Sequence, residues 1–199
     1  MSTGNLKIGG VCLSPRRGSS EILLELFLDE IRAAGISAVP PLLIREHSFL
    51  PCNECEICYD GSDCPLPDDA NVHLNSLRQM DGIIIATPVF FYSVPGGAKC
   101  FIDRAQQFWV RRQLLGQNEE RGLAALISVA SSGGEKLFED VRLVSKYFLD
   151  ALGYRLTDVL SFRGVDNPGD ITDDMRNSVR QFARRFAVKI KERGKSEKD

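Results

Sequence analysis

Apolar runs of strand length alternate with helix-period stretches along the whole chain. The apolar runs predict five strands, at residues 6–13, 36–44, 82–87, 123–130 and 154–162. The stretches that follow them predict five helices, at residues 19–34, 68–80, 96–108, 135–152 and 172–193. Such alternation is typical of a parallel sheet with helices on both faces. The sequence therefore predicts an α/β three-layer sandwich whose five parallel strands have the order 2-1-3-4-5.

The predicted topology also indicates where chemistry is to be sought. Sheets of this kind bind ligands at the carboxyl ends of the strands, beside the point where the strand order reverses. The loops after Leu13, Thr87 and Ala130 lie at that edge. These three loops are therefore the candidate ligand-binding segments.

Composition narrows the class of protein. A chain of 199 residues favours one domain, residues 1–199, with a cysteine-rich insertion loop at about 46–67. The formal charge of -2 gives no reason to expect a nucleic-acid partner. The polar residues 1–5 show no signal peptide, and the apolar run 83–94 is too short to span a membrane. We therefore expect a cytoplasmic protein without a membrane partner.

The loop after the first strand, residues 14–20, leads directly into a helix. Its three serine hydroxyls, the guanidinium of Arg16, the flexible Gly18 and the free backbone N–H groups of the helix start together favour an anion site. The segment has neither the G-x-G-x-x-G of a dinucleotide fold nor a P-loop sequence. The alternative is an ordinary polar turn with a serine N-cap.

The loop after the third strand, residues 87–97, is aromatic and rigid for a segment that must lie at the surface. A flat tricyclic ring would be covered there, while Gly96 and Gly97 allow the main chain to approach a ligand closely. The alternative is that its aromatic side chains belong to the core or to a subunit contact. After the fourth strand, the small residues Ser131, Ser132, Gly133 and Gly134 offer N–H groups to the pyrimidine edge of a flavin, unless they form an ordinary turn.

Four of the six cysteines lie close together in one loop, as Cys52, Cys55, Cys58 and Cys64. Zinc sites usually pair two C-x2-C units across a longer stretch, whereas this dense run followed by a proline is similar to bacterial ferredoxin sequences. All four would hold one 4Fe–4S cluster, because there is no second run. The alternatives are a zinc site, and free thiols or a redox disulfide. We interpret His47 and His73 as surface histidines, and Asp68 and Asp69 as helix-start residues.

These segments resemble those of a known family, the NADPH-dependent FMN reductases of the flavodoxin-like fold, and more closely the iron–sulfur flavoproteins among them. The resemblance covers roughly residues 6–165. It rests on the Ser-Pro-Arg loop, on the stretch DGIIIATPVFFYSVPGGAKCFIDR at 81–104, and on the position of the cysteine run.

The resemblance implies a role for each loop. The FMN phosphate would be held by Ser14, Arg16, Ser19 and Ser20. The isoalloxazine would contact Pro88, Val89, Phe90, Phe91, Tyr92, Ser93 and Val94. The loop residues Ser131, Ser132 and Gly133 would complete the flavin site. Phe90 departs from the family pattern, since many relatives have tyrosine there.

Together these features predict an FMN-dependent oxidoreductase that moves electrons between NAD(P)H or ferredoxin and a small acceptor or carrier. No side chain is expected to be an essential acid or base. The alternatives are a plain NAD(P)H-dependent FMN or quinone reductase without a cluster, and a zinc or thiol redox-sensing module. We expect a homodimer or homotetramer, in which residues 107–120 form a lid or contact.

Overall fold

The computed structural model describes residues 6–117 and 119–196. All strands of its one sheet are parallel, in the order β2-β1-β4-β5-β6, and β3 also pairs with β1. The strands are β1 (Lys7–Cys12), β2 (Ser37–Ala38), β3 (Leu42–Leu43), β4 (Gly82–Pro88), β5 (Gly122–Ala130) and β6 (Tyr154–Arg163). Residues 1–5, on which the expectation about a signal peptide rests, lie outside the described part.

The second predicted strand is interrupted. β2 pairs with the start of β1 (Lys7 with Ser37) and β3 with its end (Val11 with Leu42). Pro40 and Pro41 lie between them, and because proline has no N–H to donate, the ladder cannot continue through this pair. Apart from this interruption at the edge, the predicted flavodoxin-like order 2-1-3-4-5 is confirmed.

The helices lie on both faces of the sheet. They are α1 (Ser19–Ala33), α2 (Ala70–Leu77), α3 (Gly96–Asp103), α4 (Gln106–Gln113), α5 (Glu139–Ala151) and α6 (Asp173–Ser196). One core cluster contains Ile84 and side chains of α1 and α6, while the other contains Ile83, Ile85 and side chains of α2 to α5. Successive residues of β4 thus point to opposite cores, which explains the uninterrupted apolar run in its sequence.

Three helices depart from the prediction. The helix expected over 68–80 is shorter and covers Ala70–Leu77. The helix expected over 96–108 breaks at Arg104 and Ala105, which are both buried, and resumes as α4. The helix expected from residue 135 begins at Glu139, because residues 135–138 form turns. No helix within the described residues is long and apolar enough to cross a membrane.

Candidate functional site

The loop between β1 and α1 is tied down at both ends. Ser14 Oγ donates to the carbonyl of Arg16 (2.7 Å) and accepts from its backbone N–H (3.3 Å). Arg16 Nη2 donates to the carbonyl of Asp166 (2.9 Å), which follows β6. The loop is therefore held against a second loop at the same edge of the sheet, with the Arg16 side chain on the rim.

The start of α1 has the properties of an anion site. Ser19 and Ser20 are buried, and the Ser19 hydroxyl finds no hydrogen-bond partner among the described residues. Gly18 occupies the N-cap without a capping side chain, and a Cβ there would meet nothing within 4 Å. The first N–H groups of a helix attract anions, and a buried hydroxyl without a partner costs free energy. The residues present thus fit a bound phosphate.

A buried ion pair lies beside this site, and the sequence reasoning missed it. Glu21 in the first turn of α1 is buried and accepts two hydrogen bonds from Arg45, at 3.1 Å from Nε and 3.0 Å from Nη2. An unpaired carboxylate would repel a phosphate at the same helix start. Arg45 balances that charge. It lies 24 residues away in sequence, so only the pairing of β3 with β1 reveals its role.

Ser19→Ala is expected to separate binding from stability. Loss of a hydrogen bond to a charged group should raise the FMN dissociation constant about 10- to 100-fold. In flavin-free protein the same change removes an unpaired buried hydroxyl, so the free energy of unfolding should stay constant or rise by about 1 kcal/mol. Flavin fluorescence quenching and urea unfolding measure the two quantities. Ser178→Ala, near the start of α6, is the control, and equal FMN affinity in both variants would contradict the assignment.

The loop after β4 ends in a tight hairpin turn. Phe90 and Ser93 exchange two backbone hydrogen bonds (2.8 and 2.9 Å), with Phe91 and Tyr92 at the tip. Both tip residues have positive φ, 47° and 64°, where bulky side chains are strained and Asn or Gly is usual. Phe91 is fully exposed, and Phe90 and Tyr92 are also exposed. Strained, exposed aromatic residues are characteristic of ligand and interface sites.

The aromatic turn touches the loop after β5. A side chain on Gly134 would collide with the hydroxyl of Tyr92. Arg163, at the end of β6, donates to the carbonyls of Gly134 and Glu135 and so fixes the same loop. Ser131, Ser132 and Gly133 are exposed next to this contact. The structure thus brings two of the three predicted flavin loops together through Tyr92.

Two further observations concern the space between the loop after β1 and the loop after β4. A cavity of about 370 Å³ lies between Leu13 and Pro15 of the first loop and Pro95, Gly97 and Ala98 at the start of α3. Val94, in contrast, is buried in a core cluster, so it offers a ligand only its backbone.

Phe91→Asn is expected to stabilise the flavin-free protein by about 1 kcal/mol. Asparagine tolerates positive φ, and the fully exposed side chain at this position loses no packing. FMN affinity should fall in the same variant, because its aromatic tip is lost. Urea unfolding and flavin titration provide the measurements. Phe91→Leu retains an apolar side chain under the same strain and should not gain stability, so a gain there would contradict the explanation.

The cysteine loop has an unusual backbone. Glu54 and Glu56, which alternate with the cysteines, both have positive φ (52° and 61°), and Gly61 ends a 3-10 turn at φ 95°. Cys55 is exposed, while the other three cysteines of the run are half-buried. This winding backbone faces a cavity of about 840 Å³ lined by all four cysteines and by side chains of α3 to α5.

The four thiols are close enough to influence one another. Burial raises the pKa of the Cys58 thiol, and the negative charges of Cys64, Cys52 and Cys55 raise it further. The four cysteines line one cavity, and such a set of thiolate donors fits an iron–sulfur cluster, which proteins hold through cysteine sulfurs.

Arg104 is a buried cation that contacts residues at both ends of the cysteine loop. Its guanidinium is fully buried and donates from Nε to Cys64 Sγ (3.2 Å) and from Nη1 to Asp68 (2.6 Å) and to the carbonyl of Leu50 (3.3 Å). Its Nη2 has no partner in the described part of the chain. An N–H donor to a ligand sulfur is one of the contacts by which proteins tune clusters.

Asp68 receives hydrogen bonds from both sides of the loop. Burial acts to raise the pKa of this carboxyl, but bonds from Leu50, Ala70 and Arg104 together outweigh it and lower the pKa. The ionised Asp68 carboxylate therefore contributes fully to the stability of the fold above the pKa of an unfolded aspartate. This contribution is lost as pH falls through the lower folded-state pKa. Asp68 thus lies just before the N-cap residue Asp69, accepts from the Ala70 N–H at the start of α2, and also closes the base of the loop.

The segment predicted as a lid mainly supports its own cysteine loop. Gln107 is buried and accepts from the Cys64 N–H (3.3 Å), and Arg111 donates to Asp63 (2.6 Å) and to the carbonyl of Gly61 (3.0 Å). Trp109 remains exposed beside the cavity that the cysteines line. Residue 118 of this segment lies outside the described part.

Comparison with known proteins identifies the class. Residues 6–154 match the NADPH-dependent FMN reductase family. An iron–sulfur flavoprotein of Methanocaldococcus jannaschii is 27% identical over 145 residues, which cover 72% of each chain.

Solved structures share the fold. A flavone reductase superposes with a TM-score of 0.70 at 15% identity over 94% of this chain, which spans only 63% of that protein. An FMN-dependent NADH-azoreductase of Bacillus anthracis, solved with FMN, gives 0.66 at 12% identity over 91% of this chain and 99% of that one. By its sequence match over residues 6–154, this chain is a flavin-dependent oxidoreductase and belongs to the NADPH-dependent FMN reductase family.

Proposed function

We propose that this oxidoreductase binds FMN in the three loops after β1, β4 and β5, and a 4Fe–4S cluster through Cys52, Cys55, Cys58 and Cys64. The observation that carries the cluster is the set of four cysteines that line one cavity, with the buried Arg104 donating to Cys64 Sγ. The relative's name, iron–sulfur flavoprotein, supports the same proposal.

The chemistry belongs to the bound groups, and the residues hold them. Flavin takes an electron pair as hydride from NAD(P)H and can release electrons singly, while a cluster carries one at a time. Ser14, Arg16, Ser19 and Ser20 would hold the phosphate. The hairpin at Phe91 and Tyr92 would cover the ring, and the N–H groups at Ser131 to Gly133 would meet its pyrimidine edge.

The proposed reaction moves electrons from NAD(P)H or a reduced ferredoxin to a small acceptor or carrier protein in the cytoplasm. An anaerobic assay identifies the donor: NADH, NADPH and reduced ferredoxin are each added, and bleaching of the flavin is followed. Bleaching by at least one of the three is expected. Absence of bleaching by all three, in protein that binds FMN, would contradict the proposed donors.

Zinc content and colour test the proposed cofactors against the thiol-switch alternative. Anaerobically purified protein is expected to be yellow-brown and to contain iron and sulfide. Flavin without iron or sulfide would indicate a plain reductase, and a colourless zinc protein would exclude the proposal.

We also propose a homodimer or homotetramer. Trp109, Leu143 and Tyr147 are exposed beside the cavity that the cysteines line, and Phe91 is exposed at the flavin loop. Apolar side chains in such positions are typical of interfaces. Light scattering on flavin-loaded protein is the test, and a monomer would contradict this proposal.

A further inference from the structure

Two histidines and an aspartate meet at the base of the cysteine loop. His47 follows the 3-10 turn after β3, while Asp69 and His73 lie four residues apart at the start of α2. One ligand atom from each lies within 4.8 Å of the other two, and the imidazole centroids are 4.3 Å apart. Both histidines, which we interpreted from the sequence as surface residues, are half-buried, and the fold brings their rings together.

The three side chains are not engaged elsewhere. None of them forms a hydrogen bond with another described residue, and the cap of α2 is supplied by Asp68, whose carboxylate accepts from the Ala70 N–H (3.0 Å). Asp69 therefore occupies the N-cap position without using its carboxylate as a cap. Three ligand groups converge here without an internal partner.

The two imidazole rings pack against the aromatic side chain of Phe49. Phe49 stacks on His47 (5.6 Å, 17°) and meets His73 edge-on (6.0 Å, 85°), and it is itself packed against the buried Phe101 (4.8 Å). Both imidazoles also border a cavity of about 180 Å³ beside β1 and β3. A metal ion and a coordinating water would thus have ligands and space beside the two imidazoles.

The donor set selects the kind of ion. Imidazole nitrogens with one carboxylate suit a divalent transition metal better than Mg²⁺ or Ca²⁺, which prefer oxygen ligands. In a zinc site these ligand atoms would lie about 3.4 Å apart, so the three atoms, which now lie within 4.8 Å of one another, would move closer together on binding.

The position of the three residues gives the ion a role. His47 precedes the cysteine run, and Asp69 and His73 follow it, so one ion would join the two ends of the loop. The same base is already tied by the Leu50 N–H to Asp68 (2.8 Å). We propose that His47, Asp69 and His73 bind a divalent transition-metal ion of the Zn²⁺ type, which clamps the base of the cysteine loop.

Zinc titration tests the site. Zn²⁺ is titrated by calorimetry under nitrogen into protein carrying its flavin and cluster, and one equivalent is expected to bind. His73→Gln and His47→Gln should each weaken this binding at least 10-fold. Glu46→Gln, which changes a neighbouring side chain on the same cavity, is the matched control and should bind as the wild type does. Equal affinity in all four proteins, or no binding to the wild type, would overturn the proposal.

Proteolysis tests the clamp separately. A glutamate-specific protease can cleave after the exposed Glu54 and Glu56 within the loop. Zinc should slow this cleavage several-fold in the wild type and leave it unchanged in His73→Gln, which also controls for any effect of zinc on the protease. Zinc binding without slower cleavage would overturn the clamp.

Discussion

Cys58→Ser is expected to remove most of the iron and sulfide from anaerobically purified protein while FMN stays bound. Cys58 is the half-buried thiol on which the other three cysteines act electrostatically, and serine is a poor ligand for iron. The flavin loops belong to other segments, so FMN content should be unchanged. Iron, sulfide and flavin assays on the same sample measure the result.

Cys100→Ser is the matched control. Cys100 is also a half-buried free cysteine, but it lies in α3 outside the loop. Its variant should keep wild-type iron and sulfide. A normal cluster content in Cys58→Ser, or equal losses in both variants, would show that the loop is not the ligand set.

Arg104→Met is expected to lower the free energy of unfolding by about 3–5 kcal/mol. The substitution leaves Asp68 partly buried without its cation, and breaking a buried pair on one side has a cost of this size. It also removes the donors to Cys64 Sγ and to the Leu50 carbonyl. Urea unfolding of the flavin-loaded protein provides the measurement.

Adding Asp68→Asn should recover part of that loss. Asparagine carries no charge, and its single Oδ1 can still accept from one of the two N–H groups, of Leu50 and Ala70, that now donate to separate oxygens of Asp68. The double variant is therefore expected to be more stable than Arg104→Met alone. A double variant that is less stable by the sum of both single losses would show that the ion pair is not the main contribution.

The sheet could be predicted from the sequence because each strand is indicated by a run of neighbouring apolar residues. Ile83, Ile84 and Ile85 indicate a buried strand by themselves, and the helices on both faces follow from the alternation. The interruption of the second strand was missed, although Pro40 and Pro41, which cannot extend a ladder, could have indicated it. The break at Arg104 was not, because a buried arginine depends on partners that the sequence places 36 and 40 residues away.

The candidate sites also divide into those that the sequence indicates and those that only the fold reveals. The Ser19 loop and the cysteine run are continuous segments, so residue types and spacing alone indicate their chemistry. Arg45, which neutralises Glu21, and the His47–Asp69–His73 group each join residues that are far apart in the chain. Such pairs become visible only when β3 is placed on β1 and the loop base is closed.

The number of electrons that the protein accepts per FMN tests the central claim most directly. Anaerobic protein is titrated with dithionite, and flavin and cluster absorbance are followed together. A flavin takes two electrons and a cluster one, so an end point of about three electrons per FMN is expected. An end point of about two, with only flavin bleaching, would contradict the presence of both cofactors in this chain.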